Sequence, residues 1–136
     1  MSTVGVVQTY LAALGSFLLL DFIWLGFVAR GFYRDQLGDL MATDIRWLPA
    51  MAFYLLFVAA ILVFVVLPSV SRDSLARAAL LGAFFGVVTY ATYDLTNLAT
   101  LKGFPAVVAA VDMAWGGVLT ASVATVGYLI ASRVAA

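Results

Sequence analysis

Apolar residues run along this chain in four long stretches, and polar residues fall chiefly in the short gaps between them. A hydrocarbon core ~30 Å thick takes about 20 helical residues to cross. The pattern predicts spans at about 4–29, 47–67, 78–101 and 104–132, the third beginning as early as Leu75 if Ser74 caps it. The expected fold class is all-α: a four-span transmembrane helix bundle forming a single integral membrane domain over residues 1–136. No Lys or Arg precedes the first stretch, and it is too long for the core of a cleaved leader, so it reads as a retained span. Between spans 1 and 2, Tyr33, Leu37, Leu40 and Met41 recur at helical spacing while Arg34, Asp35, Asp39 and Thr43 take other positions. That is the pattern of a short amphipathic interfacial helix. Thr43 or Asp44 is placed to cap the second span, Pro49 falls in its first turn, and Pro68 is expected to end it.

One interruption stands out. Tyr90-Ala91-Thr92-Tyr93-Asp94-Leu95-Thr96-Asn97 sets a carboxylate, an amide, two phenols and two hydroxyls inside a lipid-spanning segment. An unpaired polar group in hydrocarbon costs several kcal/mol, so the run must face something polar. At 3.6 residues per turn Tyr90, Asp94 and Asn97 share a face, with Tyr93 beside them.

Four spans put both termini on one side of the membrane, and the Arg30–Arg46 and Lys102 connections on the other. From that second surface Asp21 lies ~12 Å before the end of span 1, Asp94 ~10 Å before the end of span 3, and Asp112 ~12 Å after the start of span 4. Tyr54 falls at the same level in span 2. A bundle therefore brings Asp21, Tyr54, Asp94 and Asp112 into one layer. Three carboxylates cannot all be ionised there without compensation, so the layer is expected to hold shared protons, a bound cation, or an arginine reaching down from Arg30, Arg34 or Arg46. Trp24 and Trp115, one turn from Asp21 and Asp112, are placed either to sandwich a cation or flat ligand or simply to pack. Tyr54, Tyr90 and Tyr93 are expected as hydrogen-bond partners of the acids.

Composition narrows the chemistry. The 136 residues are 65% hydrophobic and 10% charged, with mean hydropathy +1.12, the balance of an integral membrane protein. Seven Lys plus Arg stand against seven acids, with no basic patch, which argues against nucleic acid as a partner. Without Cys or His there is no thiolate chemistry and little basis for a transition-metal or haem site, so no metal or cofactor is expected. Tyr93-Asp94 resembles half of an intramembrane aspartyl protease site, yet Val111-Asp112-Met113 lacks the glycine-flanked context of that family. No span carries the closely spaced acids that bind magnesium diphosphate.

Taken together, Asp21, Asp94, Asp112, Tyr54, Tyr90, Tyr93, Asn97, Trp24 and Trp115 are the candidate ligand- or proton-binding residues. Three readings stand: a cavity binding a cation or a small polar or amphipathic ligand, with proton-coupled transport as its extension; a lipid-modifying membrane enzyme or an accessory subunit of one; or a structural acid–arginine layer. Membrane lipid is the expected surrounding partner. Gly82, Gly86 and Gly116-Gly117 are candidate contacts for a homodimer or for packing inside the bundle. Positive charge is nearly balanced between the two sides, so orientation is left open.

The residues also resemble a family. Asp21-Phe22-Ile23-Trp24-Leu25-Gly26, Phe32-Tyr33-Arg34 followed by Leu37-Gly38, Trp47 with Pro49-Ala50 and Phe53-Tyr54, the run from Tyr90 to Asn97 with Tyr93-Asp94-Leu95-Thr96-Asn97 its most specific part, and Asp112 with Trp115-Gly116 look like small bacterial four-helix integral membrane proteins grouped as a domain of unknown function. The resemblance covers nearly the whole chain and implies a multi-pass protein of the bacterial inner membrane. It implies no reaction, ligand or partner.

Overall fold

The computed structural model describes residues 1–135. Among them there is no β-strand, and four helices are long and apolar enough to cross a membrane: Thr3–Val28, Trp47–Ser71, Leu75–Thr100 and Ala106–Ala135, here the first to fourth spans. Ser2 opens the first, its Oγ accepting from the Gly5 N–H at 3.1 Å, and Ser74 opens the third by accepting from the Arg77 N–H at 3.1 Å. Each hydroxyl satisfies a backbone donor that a helix start leaves free.

Two spans contain a π-helical turn. In the first, Trp24–Val28 widens so that the Ala29 N–H reaches back to the Trp24 carbonyl at 2.7 Å. In the second, Leu62–Val66 does the same, with the Leu67 N–H donating to Leu62 O. Pro68 follows one residue beyond that turn and does not end the span, which continues to Ser71. The ring of Pro68 would clash with the carbonyl four residues back in a regular α-helix; the wider turn just before it loosens that stretch of backbone.

The connection between the first two spans departs from the expected pattern in two ways. Its helix is short, Arg30–Leu37, because Gly38 takes φ 52° and turns the chain into a single 3₁₀ turn, leaving Leu40 and Met41 exposed. Neither Thr43 nor Asp44 caps the second span: Arg46 holds the cap position without a side-chain hydrogen bond.

Spans 3 and 4 form the tightest pair. Gly82 and Gly86 lie against Thr120, Ala121 and Ala124, while Gly116 lies under the Tyr90 ring and Gly117 under Val87. A methyl added at Gly82 would come within 2.8 Å of the Ala124 Cβ, and one at Gly86 would fall on the Gly116 carbonyl. All four glycines are thus used inside the chain, in the close backbone approach that small residues permit between membrane helices.

The main core lies in the half of the bundle near the termini and at mid-depth, where Phe17, Phe57, Val58, Ile61, Leu62, Val65, Val66, Leu119, Val123 and Ala124 are buried together. A smaller cluster of Ala29, Tyr33, Phe104, Val108 and Ala109 sits at the connection end and ties the short helix onto the start of the fourth span. Between the two clusters lies the polar layer.

Candidate functional site

Each span delivers a polar or aromatic group to this layer, and the result is a cavity of about 560 Å³. Asp21, Trp24 and Leu25 line it from the first span, Ala50, Phe53 and Tyr54 from the second, Thr89, Tyr90 and Tyr93 from the third, and Asp112 and Trp115 from the fourth. That volume lies within the range of small-molecule sites, and the mixture of aromatic wall with a few convergent polar groups is typical of them.

The carboxylates are served by aromatic donors. Trp115 Nε1–H donates to Asp21 Oδ1 at 3.2 Å, and the Tyr54 hydroxyl is within reach of the same carboxylate. Across the cavity, Trp24 Nε1–H donates to the Tyr33 hydroxyl at 3.2 Å, which donates in turn to Asp112 Oδ1 at 2.9 Å. Trp24 and Trp115 stack on each other with ring centroids 4.5 Å apart and planes inclined by 6°. One face of each ring is therefore covered by the other, and no space for a ligand is left between the rings.

Asp94 is the exception. It is 0% exposed, lies beside Asp112, and neither of its carboxylate oxygens has a hydrogen-bond donor. It does not touch the cavity directly but stands behind Asp112. Two carboxyl groups so placed have nothing to exchange unless a proton lies between them. No Lys or Arg lines the cavity, and Arg30, Arg34 and Arg46 are all exposed. The acid–arginine layer is therefore not formed; the arginines stay at the surface, where their charge keeps its hydration.

Of the other expected site residues, Tyr54, Tyr90, Tyr93, Trp24 and Trp115 all face the cavity. Asn97 does not. It lies half-buried one turn further toward the connection, within reach of the Tyr93 hydroxyl. The two threonines of the same run, and Thr100 beyond it, also need no polar surroundings: the Thr92, Thr96 and Thr100 hydroxyls donate to the carbonyls of Val88, Thr92 and Thr96 on their own helix. This back-bonding lets hydroxyls face lipid at little cost.

Sequence reasoning missed Tyr33. It belongs to the connecting helix, outside the spans, yet it is 8% exposed and its hydroxyl joins Trp24 to Asp112. Burial raises its phenol above the ordinary tyrosine value, and the nearby Asp112 charge adds to the effect. The available signal was its place on the apolar stripe of the connection, which did not distinguish a residue inserted into the bundle from one lying on lipid. Thr89 also lines the cavity without having carried any sequence signal, and Leu25, Ala50 and Phe53 line it having entered only through the family resemblance.

The family model described as predicted membrane protein (DUF2177) matches residues 6–129. No curated protein and no solved structure matches the chain. The four spans and this match agree on a multi-pass membrane protein.

Proposed function

We propose, from the premise that the chain belongs to the predicted membrane protein family (DUF2177), that the acid layer is a binding site for a small cation, which on entry displaces a proton held between Asp94 and Asp112. The observation that carries this reading is the unpartnered state of Asp94: a side chain with no exposure and no donor at either oxygen, next to a second carboxyl. Asp21 faces the same cavity, and nothing cationic lines it. A layer built this way has negative charge to spare, and the groups that face the pair are neutral: Tyr33 from the connecting helix and Tyr93 from the third span, with Tyr54 and Tyr90 across the cavity. Charge balance then requires one proton out for each monovalent cation in. Coupling that exchange to access from both sides would make the protein a carrier, and its proposed location is the bacterial inner membrane.

The test uses purified protein in weakly buffered micelles. Tetramethylammonium is titrated in, with proton release followed by a pH dye and binding by tryptophan fluorescence. About one proton per bound cation is expected from the wild type, and binding without release from Asp94→Asn. Absence of both signals in the wild type would remove the reading.

A second reading has one observation in its favour. Paired carboxyls beside an aromatic-lined cavity within the spans suit general acid–base work on a lipid headgroup. It predicts an altered lipid profile in cells lacking the protein; unchanged lipids count against it.

A further inference from the structure

The second span is not held evenly along its length. Its Leu62–Ser71 part packs against both the third and fourth spans, whereas Trp47–Ile61 packs mainly on the first. What spans the gap to the third at mid-depth is Phe57, whose ring lies 5.8 Å from Phe85 and 6.2 Å from Tyr90. Above that contact the two helices part, and the cavity occupies the opening, with Ala50 and Phe53 on one rim and Thr89 and Tyr93 on the other. Phe53 is 40% and Tyr93 58% exposed. Thr89 turns its hydroxyl to the Phe85 carbonyl at 2.8 Å, so it offers its methyl to the opening. Apart from the Tyr93 hydroxyl, which Asn97 engages, the rim is apolar, and it faces sideways.

The end toward the connection is closed by contrast. Ala29, Tyr33, Phe104, Val108 and Ala109 are buried as a cluster there, with Trp24, Phe32 and Leu37 packed on it. Below, Phe17, Phe57 and Ile61 form the floor. A hydrophilic cation arriving from water meets the roof, while a molecule already in the bilayer meets an open, apolar edge with carboxylates behind it.

Resting on the cation-site reading above, we propose that the gap between the second and third spans is a lateral entrance, and that the occupant is a single-chain amphipathic amine. Its cationic head lies at Asp21 and Asp112 and its alkyl chain leaves between Phe53 and Tyr93 into lipid. Charge selects the head, since the cavity carries acids and no base. The apolar rim selects the tail, which stays in a hydrocarbon environment throughout and so does not offset binding by dehydration of the door.

The experiment compares three probes on the full-length protein in lipid nanodiscs, with empty nanodiscs subtracted: decyltrimethylammonium, tetramethylammonium and the neutral decyl maltoside. Because the native chain has no cysteine, a Phe53→Cys, Tyr93→Cys variant can be bridged with a bismaleimide and the same preparation measured before and after, which separates blocking from misfolding. The expected result is decyltrimethylammonium binding at least tenfold tighter than tetramethylammonium, with decyl maltoside weak, and a loss of at least tenfold in decyltrimethylammonium association after bridging. Equal affinity for the two cations, or association unaffected by the bridge, would overturn lateral entry while leaving the acid site standing. Equal binding of decyl maltoside would overturn the amine. If neither cation binds and Asp112→Asn changes nothing, the underlying cation site fails, and the entrance with it.

Discussion

The seam between the third and fourth spans can be tested through one methyl group. In Gly86→Ala the new Cβ would overlap the Gly116 carbonyl oxygen and stand 2.7 Å from the Thr120 Cβ, where carbon atoms at rest stay about 3.5–4.0 Å apart. The obstacle is backbone on one side and a fully buried side chain on the other, so neither can swing away. The helices must instead part by about 1 Å, and a gap of that size forfeits a quarter to a half of each contact's dispersion well along the seam. Overpacking of this kind costs about 1–3 kcal/mol, and with backbone as the obstacle the upper part of that range applies. Alanine's better helix propensity returns at most about 1 kcal/mol, leaving a net loss of about 2 kcal/mol. Gly15→Ala is the matched control, because a Cβ there meets nothing within 4 Å; its stability should stay level or rise slightly. Reversible unfolding in mixed micelles on titration with dodecyl sulfate, followed by far-ultraviolet circular dichroism, measures both. Equal stability of the two variants would refute the seam. A dimer broken by Gly86→Ala while monomer stability is unchanged would reassign these glycines to an interface between copies.

Other expectations follow from the polar layer. Tyr33 is protonated more firmly folded than unfolded, because burial raises its phenol; its contribution is present in full below the unfolded value of about 10 and is lost as pH rises from there toward the folded value. The wild type should therefore lose stability with a slope steeper than that of Tyr33→Phe by about 1.4 kcal/mol per pH unit above that point, and parallel curves in alkaline unfolding titrations would contradict it. Asp94→Asn replaces one of two unpartnered acceptor oxygens with an amide that can donate to Asp112, so stability should hold or rise by about 1 kcal/mol; a fall of more than about 2 kcal/mol in the same unfolding assay would show that the carboxyl is structural. The stacked Trp24–Trp115 pair should give an exciton couplet in far-ultraviolet circular dichroism that disappears in Trp24→Phe and in Trp115→Phe and survives in Trp47→Phe, and a couplet insensitive to all three would place the rings apart.

How far the chain discloses this layer follows from what a helix fixes. A constant rise per residue sets height, so Asp21, Tyr54 and Asp112 could be matched in level from the span ends alone, and all three face one cavity. Rise does not set azimuth over many turns or tilt between helices. That is why Asp94, assigned to the same face as Tyr90, stands outside the lining, and why the parting of the second and third spans left no trace in the hydropathy pattern; Asn97 falls outside it because it lies one turn further toward the connection. Tyr33 escaped for a different reason: an apolar stripe reports that a surface is covered, not by what. The stop expected at Pro68 failed because a π-helical turn, which depends on tertiary packing, absorbed the proline.

The choice of donors bears most directly on function. An arginine beside each acid would satisfy the charge and close the site; such a pair, once desolvated, has nothing left to attract a ligand. Here the donors are an indole to Asp21 and a phenol to Asp112, the latter itself fixed by a second indole. Neutral donors stabilise a carboxylate by hydrogen bonding yet leave its charge in place. The stacking of Trp24 on Trp115 couples the two arms, so that the group orienting Asp21 and the group orienting Tyr33 cannot shift independently. Tyr33 in turn sits on the short helix that roofs the cavity. The Tyr33–Asp112 hydrogen bond is therefore one of the tethers that hold this helix to the fourth span.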